Sequence, residues 1–162
     1  MKAIDRHIAL RHSLLMPPRT LTTRIATVVK VSDHLVEQHM HPGAVMDLAG
    51  LTEMVEARRA LCPEGGCCVL AMVPHGVFSS PETGDENLFL ADRGKTALKA
   101  LAIVAEDEKV EAMTKVYLAF HPTPFPAKVF NDEAPARAWL RQLSEEPDAS
   151  TTATSLGPVP IT

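Results

Sequence analysis

The sequence lacks an apolar run of the roughly 20 residues needed to cross a bilayer. Its start, Met1-Lys2-Ala3-Ile4-Asp5-Arg6-His7, also lacks the continuous apolar core of a secretory signal. Together these absences make a cytoplasmic location the expectation. A basic stripe is missing too. Sixteen Lys and Arg stand against twenty Asp and Glu, a formal charge of −4, and nothing is arranged to track a phosphate backbone, so no nucleic-acid partner is expected. Cysteine is scarce, with three in 162 residues. Cys67 and Cys68 adjoin, and adjacent strand side chains point to opposite faces, which suits a disulfide poorly and leaves reduced thiols as the expectation.

Catalytic and ligand signatures are equally sparse. No Cys-x-x-Cys pair exists, so Cys62, Cys67, Cys68 and His75 read as packing residues and not as zinc ligands. His39, His41, His75 and His121 are scattered along the chain and read as surface or loop-packing residues. A hydrolase would need His75 within reach of Cys67, Cys68 or Ser79 together with an oxyanion donor set, yet Gly-x-Ser-x-Gly is absent. Gly65-Gly66 precedes an apolar strand-like run instead of following one, unlike a phosphate-binding loop. No catalytic residue, metal or cofactor is therefore expected.

What is present is the composition of one folded domain. Hydrophobic residues make up 46% and charged residues 22%, as in ordinary globular proteins of this length. Residues 1–21, ending near Met16-Pro17-Pro18, read as a flexible arm, residues 22–143 as the domain, and the proline-spaced polar residues 144–162 as a disordered tail. Ile25, Thr27, Val29 and Val31 alternate as in a strand, Ser32-Asp33 makes a turn, and 34–40 returns as the second arm of a hairpin. Asp47 is suited to cap a helix bearing Leu48, Leu51, Val55 and Leu61, with Arg58 and Arg59 near its carbonyl-rich end and Pro63-Glu64-Gly65-Gly66 as its stop.

Cys67–Val73 is an apolar run of strand length, predicted to be central and buried on both faces. After it come a turn-rich loop, a short helix near Asp85–Arg93, and a strand at Leu98–Ala105. Asp107 caps a further helix in which Val110, Met113 and Tyr117 form one apolar stripe. A strand at Ala127–Phe130 precedes a helix capped by Asn131, whose Ala136, Trp139, Leu140 and Leu143 face the core. The acidic groups Asp85-Glu86 and Glu106-Asp107-Glu108 sit at helix starts, where the dipole favours them. Met40, Met46, Met54, Met72 and Met113 read as core filling. The order β-β-α-β-α-β-α-β-α predicts an α/β domain with a mixed sheet and helices mainly on one face.

This order resembles the STAS domain of anti-sigma-factor antagonists and sulfate-transporter tails. Tyr117, Pro124-Phe125-Pro126-Ala127-Lys128-Val129-Phe130, Asp132-Glu133, Ala136 and Trp139-Leu140 resemble in particular a bacterial STAS-like group of obscure function. In phosphorylated antagonists an Asp-Ser-Ser-Gly pattern follows the central strand, and its first serine aligns with Ser80. Here Ser79 stands in place of the aspartate, Pro81-Glu82 in place of Ser-Gly, and Ala71 in place of an aspartate within the strand.

The resemblance implies a non-enzymatic regulatory or scaffolding module that binds a protein partner. Ser80, or Ser79, is its candidate phosphorylation site. Phe78, Leu88 and Phe89 are its candidate contact patch, and a homodimer is left open. Two alternatives remain: a carrier of a small apolar ligand or lipid, and a small hydrolase using His75.

Overall fold

The computed structural model describes residues 19–84 and 98–145. Eight strands and three α-helices fall within them. In chain order they are β1 (Arg19–Thr22), β2 (Ala26–Ser32), β3 (Leu35–Met40), β4 (Val45–Met46), α1 (Leu48–Leu61), β5 (Cys68–Val73), β6 (Phe78–Ser79), β7 (Ala100–Ala105), α2 (Glu108–Phe120), β8 (Ala127–Phe130) and α3 (Glu133–Glu145). A one-turn 3-10 helix, Pro81–Gly84, follows β6. The predicted helix near 85–93, with Asp85-Glu86, lies outside the described residues, as do 1–18 and 146–162. Among the described residues no helix is long and apolar enough to cross a membrane.

Six strands form a mixed sheet in the order β1-β2-β3-β5-β7-β8, and β4 and β6 form a two-stranded sheet of their own. The predicted hairpin is there: β2 and β3 pair antiparallel, Ala26 opposite Met40. From β3 onward the neighbours β5, β7 and β8 are parallel. β5 is therefore interior, and the apolar run expected to be central is buried nearly throughout. One expectation needs correcting here. The arm drawn over 1–21 loses residues 19–21 to β1, which pairs antiparallel with β2 at the sheet edge. All four β1 residues are exposed, so no burial pattern marked them. Likewise the tail drawn from 144 loses Ser144 and Glu145 to the last turn of α3.

Each strand face has its own core. On one face Val28, Val36, Val69, Ala71, Val73 and Leu101 meet Met54, Ala57 and Leu61 of α1, with Val110 of α2 at the margin. On the other, Cys68, Leu70, Ala100, Ala102 and Val104 meet Ala136 and Leu140 of α3, with Trp139 and Leu143 beside them. Two of the three described helices thus share a face. Right-handed crossovers from β3 to β5 and from β7 to β8 advance in the same direction across the sheet, which places α1 and α2 together. Small residues line the α3 side of β7, so α3 packs close and Trp139 reaches Phe130, with ring centroids 5.8 Å apart.

The capping chemistry of two helices follows the sequence. Asp47 accepts from the Gly50 amide at 2.8 Å and Asp107 from the Lys109 amide at 2.8 Å. Asn131 stands too early to cap α3, which starts at Glu133. Three side-chain assignments change. In β2 the fully buried residues are Ala26 and Val28, while Thr27 and Val29 are half-buried and Val31 is exposed. Both faces of β2 are apolar, so alternation alone did not say which one α1 would cover. In α1 the buried apolar positions are Met54, Ala57 and Leu61, with Arg58 at 1% exposure. Met113 of α2 is 57% exposed, so it is not core filling.

Gly50 shows how closely α1 approaches the sheet. A Cβ at this position would stand 2.8 Å from Ile25 Cγ2 and 3.0 Å from both Arg24 Nη2 and Asp47 Oδ1. Ile25 is 1% exposed and cannot retreat. Alanine in a helix normally gains up to about 1 kcal/mol over glycine. Here overpacking of about 1–3 kcal/mol outweighs that gain, and Gly50→Ala is expected to lower the urea midpoint. A raised midpoint would show that the approach is looser than these distances state.

Candidate functional site

The loop that joins β5 to the 3-10 turn is held against the start of α1. Gly43 and Gly76 take φ of +75° and +80°, a region open to glycine at little cost, and these turns bring β4 and β6 side by side. The Phe78 amide donates to the Ala44 carbonyl at 3.0 Å, and the Ser80 amide to the Met46 carbonyl at 2.9 Å. Val77, at 5% exposure, anchors the loop in the core. Phe78 is 66% exposed. A rigid backbone therefore presents a phenyl ring to solvent.

The serines sit on the same support. Ser79 is exposed and Ser80 half-buried. The Ser79 hydroxyl lies 2.8 Å from Thr83 Oγ1, and the Thr83 hydroxyl donates to the Ser80 carbonyl at 2.7 Å. One residue beyond β4, Asp47 caps α1 and forms an ion pair with Arg24. That guanidinium, and then the Gly50 amide, hold the Asp47 carboxyl below its ordinary range. An open depression of about 620 Å³ lies alongside, lined by Asp47, Leu48, Ala49, Thr52 and Glu53 of the α1 start and by Glu82. Three carboxylates in this lining make it unlike the apolar interior that a lipid carrier requires. A phosphoryl group on Ser79 or Ser80 would add negative charge close to Asp47 and Glu82, so repulsion is its main physical effect there.

Of the residues read as a contact patch, Phe78 is placed as described, whereas Leu88 and Phe89 lie outside the described residues. His75 is exposed just beyond β5, with Nδ1 4.0 Å from Asp107 Oδ2. Cys67 and Cys68 stand at the opposite end of that strand, and at about 3.3 Å per residue the separation is roughly 20 Å. The structure does not bring His75 to either thiol. Burial, followed by contact with Cys62, pushes the Cys67 thiol up to about 12, and burial also raises Cys68. Such thiols are poor nucleophiles at neutral pH. As expected, Cys67 and Cys68 join opposite cores, and all three cysteines are free.

Two of the other described histidines have separate partners. His41 Nε2 lies 3.1 Å from Thr27 Oγ1, and the His121 ring lies 4.4 Å from that of Tyr117. Among the described residues no three His, Cys, Asp or Glu side chains converge as a metal site.

One charged cluster escaped the sequence reading. Glu37 of β3, its side chain 11% exposed, accepts from Arg137 Nη1 of α3 at 2.7 Å and lies 2.7 Å from His39 Nε2. Arg137 also meets Glu133 at 2.7 Å. Burial pushes the Glu37 pKa upward, but the hydrogen bonds from Arg137 and His39 prevail and hold it below its ordinary value. The one available signal was the charged Glu37 within an otherwise strand-like segment. Its partner lies 100 residues away, so spacing could not reveal it.

No curated protein matches this chain. Among solved structures, it is similar to an uncharacterized protein of the DUF3478 family with a SpoIIAA-like fold from Shewanella loihica PV-4, at 19% identity over 76% of this chain and 92% of that one, with a TM-score of 0.45. The model of one family, described as a domain of unknown function (DUF7793), matches residues 29–144, from β2 to the last turn of α3, and the chain belongs to that family.

Proposed function

We propose that this chain is a non-catalytic STAS-like module that docks a protein partner through the loop from Pro74 to Gly84. The observation that carries the reading is Phe78, 66% exposed on a strand whose backbone is tied to β4. Aromatic side chains that are ordered before contact lose little freedom on binding and make strong interface anchors. Ser79 and Ser80 adjoin this anchor. Phosphorylation of Ser79 would break its hydroxyl contact with Thr83, and a phosphoryl group on either serine would add charge near Asp47 and Glu82, giving a means of releasing the partner.

Immobilised wild-type chain, incubated with extract of its source cells, is expected to retain a specific protein. Phe78→Ala is expected to weaken that retention at least about tenfold, as for an interface anchor. Ser79→Asp and Ser80→Asp should also weaken it, with melting temperatures near that of the wild type. Equal retention by wild type and Phe78→Ala would remove the loop as the docking site.

A further inference from the structure

The end of α1 and the start of β5 bring two thiols together. Cys62 is the C-cap of α1, and Cys67 lies one residue before β5. Between them run Pro63-Glu64-Gly65-Gly66, folded back by a bond from the Gly65 amide to the Cys62 carbonyl at 3.2 Å. Both side chains join the core on the α1 face of the sheet, and the two thiols are in contact there. Cys68 belongs to the opposite core and has no part in the pair.

The surroundings of this pair differ from those of cysteines that only fill space. Arg58, one turn before Cys62 and 1% exposed, places its charge near Cys67 inside the same core. A buried cation favours thiolate over thiol. Cys62, at 6% exposure, lies nearer to solvent than Cys67 at 1%, at the foot of a loop whose Pro63, Glu64 and Gly66 are exposed. Gly65 and Gly66 take φ of +71° and +72°, so the loop can adjust its backbone at little steric cost.

We propose that Cys62 and Cys67 form a disulfide within the chain when hydrogen peroxide reaches Cys62. The Cys62 sulfur, having lost its proton, attacks one peroxide oxygen and becomes a sulfenic acid. The O–O bond breaks, and the other oxygen leaves as water with that proton. The Cys67 sulfur then attacks the Cys62 sulfur, the S–O bond breaks, and the hydroxyl leaves with the Cys67 proton as a second water. Two thiols and one peroxide thus give one disulfide and two waters, the sulfurs losing the two electrons that peroxide gains. Burial, and then contact with Cys62, hold Cys67 protonated while Arg58 pulls the other way, so the more exposed sulfur reacts first. Once Cys62 is oxidised, its thiolate no longer opposes ionisation of Cys67, the Arg58 charge remains, and Cys67 resolves the sulfenic acid.

The full chain, reduced and then exposed to a modest excess of hydrogen peroxide, can be denatured, alkylated and sequenced by fragment-ion mass spectrometry. The folded chain is expected to lose two hydrogens per molecule and to link Cys62 to Cys67, with Cys68 alkylated and dithiothreitol restoring every thiol. The same oxidation in strong denaturant gives the comparison. There the loops from Cys62 to Cys67 and to Cys68 differ by one residue and close with similar entropy, so both linkages should form in comparable amounts. In the folded chain Cys62–Cys67 should exceed Cys62–Cys68 at least about tenfold, because only that pair is held in contact. Cys67→Ala should stop at the first step, leaving a Cys62 sulfenic acid that dimedone captures, whereas Cys68→Ala should close the disulfide as the wild type does.

The proposal is overturned if peroxide leaves all three thiols open to alkylation, or if the folded chain links Cys68 or a second chain instead. It is equally overturned if folded and denatured chains give the same mixture of linkages. That comparison uses the wild type alone, so it decides the matter even where a substituted core cysteine prevents folding.

Discussion

Leu70→Ala is expected to cost about 3–4 kcal/mol, the range for truncating a leucine where the surroundings cannot collapse. Leu70 is 0% exposed on β5, between β3 and β7 in the sheet, and it packs in the core sealed by Ala136 and Leu140 of α3. Its sheet neighbours on that face include Ala100 and Ala102, which are too small to move into the space. A domain of this size is stable by roughly 5–15 kcal/mol, so the variant should fold with a much lower urea midpoint. Leu21→Ala supplies the contrast, because Leu21 is 38% exposed on the edge strand and should cost under about 1 kcal/mol. Similar midpoints for the two variants would contradict the two-layer packing around β5.

The second large effect is electrostatic and carries a definite pH signature. Arg137→Met removes the main hydrogen-bond partner of Glu37 while leaving the carboxyl group 11% exposed. Breaking a fully buried pair costs about 3–5 kcal/mol. The Arg137 side chain is 32% exposed, so about 2–3 kcal/mol is expected at pH 7.

The sign with pH follows from linkage. In the wild type the Glu37 pKa is lowered from 4.5, so its stabilisation is present above the unfolded pKa and is lost as pH falls through the folded one. In Arg137→Met burial persists with less compensation and the folded pKa moves above the unfolded value. The variant should then lose stability as pH rises through the carboxylate range. The gap between variant and wild type should be widest near neutral pH and shrink in acid. Glu37→Gln with Arg137→Met should recover most of the neutral-pH loss, because an uncharged amide costs less to bury. A loss that is the same at pH 4 and pH 7 would show that Arg137 acts through packing of its alkyl stem instead.

The sequence was most legible where a residue's role is decided by its near neighbours. Asp47 and Asp107 cap helices because a short carboxylate reaches an amide two or three residues on, whatever the rest of the fold does. Cys67–Val73 reads as interior because an unbroken apolar run of strand length has few other stable placements, and β5 occupies Cys68–Val73 of it. The Ser79–Ser80 loop was legible as a loop from its turn formers, and Phe78 as a member of its patch. The β4–β6 pairing that holds it rigid was not legible, since two-residue strands carry no periodicity.

By itself, then, the sequence determined strands β2, β3, β5, β7 and β8 with the three described helices, their βαβ succession and the chemistry available in the Pro74–Gly84 loop. Tertiary structure alone decided which face of β2 is buried, why Gly50 resists a side chain, and that Glu37 meets Arg137. It also decided that Met113 and Phe120 of α2 are exposed. The physical reason is common to all four. Burial and pairing depend on which element arrives from a distant part of the chain, whereas capping and strand formation are settled within a few residues.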